Sequence, residues 1–240
     1  MSAMSTIPVV PVERLELRFV SRAWPFAQQR RAEIDARFAQ LQRQMPGVWN
    51  GQVLVMGEHA VAGSVLRASL SAVDYASFLV WQDWGCPETG ARNAFALGAL
   101  HTSDGAFVLG VMAPHTANRG LIYFPCGTPD PSDIAGTCVD FDGSVRRELA
   151  EETGLTPADY VVEPGWHVVF EGPRIACIKV VSVSQNAAAL RDRVLGFLAR
   201  EREPELCDIR IVRGPADFDP KMPAFVPAFL EYFWARSERT

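Results

Sequence analysis

Arg147-Glu148-Leu149-Ala150-Glu151-Glu152-Thr153-Gly154-Leu155 is the stretch on which the reading of this chain turns. Glu148, Glu151 and Glu152 stand at i, i+3 and i+4, so a helix would project all three from one side. Like charges so placed repel unless something positive lies among them. Leu149 points elsewhere and can pack inward. Gly154 supplies the left-handed residue that ends a helix, and Pro157 follows. A short helix that gathers three carboxylates and then stops suits a hard divalent cation such as magnesium.

The stretch resembles the signature helix of the Nudix hydrolases, whose box runs Gly, five residues, Glu, seven residues, then Arg-Glu-(aliphatic)-any-Glu-Glu-any-Gly-(aliphatic). Arg147 to Leu155 match every fixed position of the second half. The first half departs. Pro125-Cys126-Gly127 is similar to the family's Pro-Gly-Gly, with cysteine for the first glycine. Gly127 and Arg147 are twenty positions apart where the family pattern has fourteen, so 128–136 is expected to be an inserted loop. Val139 occupies the place of the upstream glutamate, with Asp140 beside it.

Composition is compatible with that resemblance. A chain of 240 residues, 48% hydrophobic and 21% charged, can bury its own core. The net charge of −5, with no basic patch, argues against nucleic acid as a partner. Five cysteines without a Cys-x-x-Cys pair fit a reduced, cytoplasmic setting without structural zinc. No secretory signal and no membrane-length apolar run is seen, so no membrane partner is expected.

Around the box, periodicity predicts a strand over 12–19 and a helix from Trp24-Pro25 to about Pro46-Gly47. It predicts a hairpin of 52–56 with 62–70, and a helix capped by Ser71 with Asp74. Later strands are expected over 95–101, 106–111, 121–124, 158–170, 175–183 and 209–212. Helices are expected over 142–153, 186–202 and 225–236. The resemblance implies an α/β class fold, a Nudix-type α/β/α sandwich with a mixed sheet over 94–240. Residues 1–93 would form an N-terminal α+β arm packed on it.

The resemblance also implies roles. Glu148, Glu151 and Glu152 would be metal ligands for Mg2+ or Mn2+, and Arg147 would orient one of them. Gly127 would approach the site with its backbone. Arg119 is a candidate phosphate holder, and Phe124 is a candidate for stacking on a base, as are Trp49, Trp81 and Trp84. Glu171 at a strand end is the candidate general base, with Glu203 and Glu205 as alternatives. The implied reaction is metal-dependent hydrolysis of a small-molecule nucleoside diphosphate linked to another moiety, with a homodimer as a candidate assembly. Trp49-Asn50-Gly51, Val73-Asp74-Tyr75-Ala76-Ser77-Phe78 and the long box loop are similar to the UDP-sugar-cleaving branch, which would yield UMP and glucose 1-phosphate from UDP-glucose. ADP-ribose and coenzyme A stay open as substrates, as does a domain that only binds nucleotide.

Overall fold

The computed structural model describes residues 7–45 and 47–237. In chain order its elements are β1 (Val9–Val12), β2 (Arg14–Phe19), α1 (Pro25–Gln29), α2 (Arg31–Gln44), β3 (Gln52–Ala62), β4 (Val65–Asp74) and α3 (Tyr75–Asp83). Then come β5 (Asn93–His101), β6 (Phe107–Met112), β7 (Ile122–Tyr123), β8 (Cys126–Gly127), β9 (Ile134–Ala135), β10 (Cys138–Val139) and α4 (Phe141–Thr153). The chain continues with β11 (Tyr160–Val162), β12 (Trp166–Glu171), β13 (Arg174–Val183), α5 (Ala187–Leu198), β14 (Leu206–Val212) and α6 (Phe225–Ser237). It is a mixed α/β protein. None of the described helices is long and apolar enough to cross a membrane.

Internal contacts divide the chain into two units. The first comprises Met1–Glu13, Phe95–Gly127 and Asp142–Thr240, and the second comprises Arg14–Ala94 and Thr128–Phe141.

The first unit is built on a nine-stranded sheet in the order β1-β12-β13-β5-β6-β14, with β11 on β13, β7 on β6 and β8 on β5. Strands β5 and β13 are nearly continuous apolar runs, because both of their faces are covered. On one face Phe95 meets Phe225, and Phe107 and Phe124 meet Phe229, so α6 lies there. Gly98, of opposite parity to Phe95 on β5, faces the other way. A Cβ at Gly98 would come within 3.0 Å of Leu149, which sets α4 tightly on the second face. Lys179 anchors the start of α4. Its ammonium donates to Gly165 O at 2.8 Å, pairs with Asp142 at 3.4 Å and sits 4.1 Å from the centre of the Trp166 ring. Gly154, at φ 69°, ends α4 as its sequence requires, and the Phe197 ring of α5 packs on its bare Cα.

The second unit holds a five-stranded sheet, β3-β4-β2-β10-β9, in which β2 and β4 run parallel and the other pairs antiparallel. Trp24, just ahead of α1, joins Ile34 and Phe38 of α2 and Phe78 and Trp81 of α3 in a core shared with Val53, Val55 and Val73. Asp74 caps α3, accepting from the Ser77 N–H at 3.0 Å, and takes a two-pronged bond from Arg31 at 3.1 and 2.9 Å.

Several elements differ from the sequence expectation. The strand over 12–19 is two strands that bend at Glu13 and enter different sheets. The helix from Trp24 breaks at Arg30, whose ψ of 20° with φ −114° leaves the helical well. The region 158–170 is two strands separated by the Gly165 turn. The segment expected as an inserted loop is ordered. Asp130 and Asp133 cap one another around a short 3-10 turn, then β9 and β10 form a hairpin whose Cys138 pairs with Arg18 of β2. Val139, in place of the box's upstream glutamate, is buried in that hairpin.

Candidate active site

Helix α4 and the loop Pro125-Cys126-Gly127 build the site. The α-helix turns about 100° per residue, so Glu148 and Glu152 nearly eclipse while Glu151 is rotated away from Glu152 by one step. The burial follows this geometry. Glu148 is 8% exposed and Glu152 is 3% exposed, whereas Glu151 is exposed. The expected trio is thus a buried pair with a third carboxylate at the solvent edge.

The loop lies over the buried pair. A methyl group on Gly127 would collide with the Glu148 carboxylate, so only glycine lets the loop approach so closely. Gly98 N–H donates to Pro125 O at 3.1 Å and holds the loop to β5. Arg147 Nη2 donates to Glu148 Oε1 at 3.0 Å. Glu152 Oε1 accepts a long bond from Cys126 N–H at 3.4 Å, and Glu152 Oε2 is buried without a hydrogen-bond partner.

This is an expensive arrangement for two anions. Burial pushes the Glu148 carboxyl up to about 7, against which the Arg147 guanidinium pulls it down less strongly. Burial raises Glu152 well above the carboxylate range, and the charges of Glu148 and Glu205 add to the effect. The Cys126 thiol is raised by burial and then by Glu152, which makes it a poor nucleophile.

The other expected site residues fall in different places. Phe124 is fully buried between Phe107 and Phe229, so it belongs to the core and cannot stack on a ligand. Trp81 is likewise fully buried, in the second unit. Arg119 is exposed on the loop between β6 and β7. Glu171 ends β12, where Oε1 pairs with Arg174 at 3.4 Å and Oε2 is buried without a partner. Glu203 is exposed. Glu205 stands at the entry to β14, its carbonyl accepting from Ala113 N–H at 2.8 Å. Its charge is among the main influences on Glu148, Glu152, Cys126 and Tyr123, and that of Glu171 is not. Sequence spacing gave Glu205 no rank over Glu171, since only the pairing of β14 with β6 brings 205 within electrostatic reach of Glu148 and Glu152. Tyr123 and Asn118, hydrogen-bonded at 3.0 Å, were not singled out from the sequence at all.

Among the described residues, no group of three or more His, Cys, Asp or Glu side chains is arranged to hold a metal ion. What is present suits a partial shell. Two hard oxygen donors face one loop, one buried oxygen lacks a partner, and burial holds both carboxyls above their ordinary range. Magnesium commonly takes one or two carboxylates and completes its octahedron with water and substrate phosphates.

No family model matches the chain, and no curated protein matches it either. Solved structures do. A Nudix hydrolase from M. smegmatis, RenU, aligns at 15% identity over 61% of this chain and 84% of its own, with a TM-score of 0.40. The MutT protein from Methanosarcina mazei Go1 aligns at 18% identity over 62% and 96%, with a TM-score of 0.42. The Bacillus subtilis pyrophosphohydrolase BsRppH, as its E68A mutant, aligns at 12% identity over 59% and 81%, with a TM-score of 0.36.

Proposed function

We infer that the protein is a metal-dependent hydrolase of the Nudix type, cleaving the diphosphate of a nucleoside diphosphate linked to another moiety. The observation that carries this reading is the Glu148–Glu152 pair, buried beneath Gly127 with one carboxylate oxygen left without a partner. Structural carboxylates are placed among donors or in water, whereas Glu152 has one long backbone bond for its two oxygens, and burial raises both carboxyls despite Arg147 beside Glu148. The complete Arg147–Leu155 pattern supports the same reading.

Glu148 and Glu152 would hold Mg2+ or Mn2+, with Glu151 reaching it from the solvent edge. Bound there, the cation would neutralise phosphoryl oxygens and make a water more acidic. Arg147 fixes the rotamer of Glu148 by a charge-assisted bond. The Gly127 backbone closes one wall of the site. We assign the general-base role to Glu205, the carboxylate outside the box whose charge acts on the buried pair, ahead of Glu171. UDP-glucose, cleaved to UMP and glucose 1-phosphate, is the preferred substrate on the resemblance of the Trp49–Gly51 and Val73–Phe78 segments and of the long box loop. ADP-ribose and coenzyme A are the comparison substrates.

Product release from UDP-sugars, ADP-ribose and coenzyme A, with magnesium and with chelator, tests the reading. Magnesium-dependent nucleoside monophosphate release is expected. Turnover that ignores chelator, or none with any of the substrates, would sink it in favour of a nucleotide-binding domain. Within the same assay Glu205→Gln should lower kcat by on the order of 10²–10⁴, while Glu171→Gln stays within a few-fold. The reverse ranking would return the base to Glu171.

A further inference from the structure

Tyr123 stands on β7, just ahead of the site loop, and is 5% exposed. Its neighbour Phe124 turns to the α6 face of the sheet, against Phe107 and Phe229. Strand alternation sends Tyr123 to the opposite face. Pairing agrees with this: Tyr123 lies across from Gly110, and residues directly opposed in a sheet share a face. Gly110 is three residues from Phe107 on β6 and so points away from α6. That is the side on which Leu149 seats α4 over Gly98.

The phenol is pinned. Asn118 Nδ2 donates to its oxygen at 3.0 Å. Asn118 is itself held by Leu121 N–H donating to its carbonyl at 3.0 Å, while Gly120 N–H donates to Met112 O at 2.9 Å. Asn118 therefore uses an acceptor position of the phenol and leaves its proton to be donated elsewhere. Buried tyrosine hydroxyls normally find an acceptor, and among the described residues the phenol's hydrogen bond is the one it accepts from Asn118. Burial raises the phenol well above its ordinary range, and Cys126, Glu152 and Glu205 are among the charges that act on it, so it keeps its proton and lies within electrostatic reach of the site.

We propose that Tyr123 is a substrate-binding residue whose phenol O–H donates to an oxygen of the bound pyrophosphate, with Asn118 as the positioning residue that fixes the phenol oxygen. The inference rests on the pyrophosphohydrolase reading above. A neutral donor suits the place, since the surrounding carboxylates already repel a phosphate and the loop's own cation, Arg119, is exposed to solvent.

Calorimetric titration with inorganic pyrophosphate, magnesium present, reads binding without turnover. Tyr123→Phe keeps the ring and removes only the hydroxyl. It should weaken pyrophosphate binding by roughly ten- to a hundredfold, the range for a hydrogen bond to a charged group, with the thermal midpoint nearly unchanged. Asn118→Ala should weaken it less, and the double variant should bind no worse than Tyr123→Phe alone, because the two act as one unit. Equal affinity of wild type and Tyr123→Phe overturns the inference and leaves the proposed function standing. Absence of pyrophosphate binding by the wild type overturns both. If Tyr123→Phe fails to fold, Asn118→Ala, at an exposed position, decides: wild-type affinity there overturns the assignment.

Discussion

Replacing Glu152 with glutamine is expected to make the metal-free protein more thermostable at pH 8 while removing most of its metal-dependent turnover. The two effects share one cause. Glu152 is buried beside Glu148, and its carboxyl is held above its ordinary range by burial. A group whose folded pKa is raised favours the folded state at low pH, and that contribution is lost as pH rises through the folded value. At pH 8 the wild type must therefore keep an unfavourable anion, or a proton the unfolded chain would have released, and glutamine removes the difference. Glu148→Gln should behave alike. There the carboxyl is raised from 4.5 to about 7, which corresponds to about 3 kcal/mol above neutrality. The gain should be absent near pH 4, grow between about 4.5 and 7, and level off above. Thermal melts across that range in chelator would show it. Added Mg2+ or Mn2+ should stabilise the wild type and not the variants, and kcat should fall by on the order of 10²–10³ in each. Variants less stable than wild type at pH 8 would mean that these carboxylates serve the fold and not a cation.

Gly127→Ala should cost most of the turnover although it adds a single methyl group. The new Cβ would occupy space now taken by the Glu148 carboxylate, so either that side chain leaves its rotamer or the loop lifts off α4. Both outcomes separate the loop from the buried pair. Misplacement by about 1 Å in such a site lowers turnover by roughly a hundredfold, and a loss of that order is expected together with weaker Mn2+ binding. Gly196→Ala, on α5, is the control. Its nearest neighbour is the tip of Arg200 at 3.9 Å, so it should be neutral or stabilising by up to about 1 kcal/mol. Wild-type activity and metal binding in Gly127→Ala would remove the close approach from the account of the site.

The parts of this molecule that are legible in its sequence are those governed by local chemistry. Helix α4 announces itself through its charges and through Gly154, and α3 through Asp74, because caps and terminators act within a few residues. The hairpin of β3 and β4 was visible as two apolar runs, though both strands extend further than the runs. What stayed hidden depends on distant pairing. Nothing local says that Val9–Val12 and Arg14–Phe19 enter different sheets. The loop after Gly127 looked irregular because Pro129, Pro131 and Gly136 are turn residues, yet β10 finds a partner more than a hundred residues earlier in the chain, in β2. The box located the carboxylates, but helical phase alone could not say that Glu151 would stay in solvent while its two neighbours were buried. Phe124 was misjudged because an aromatic beside a site loop looks the same in sequence whether it faces ligand or core.

Interleaving of the two units has a bearing on how such a gene can be altered. The chain passes from one unit to the other at 13/14, 94/95, 127/128 and 141/142. A deletion of everything before residue 94 would strip β1 from the edge of β12 and leave β10 without β2. The region ahead of the box is thus no cassette to be shed or traded between proteins, and shortening the chain there should yield insoluble fragments instead of a smaller folded protein.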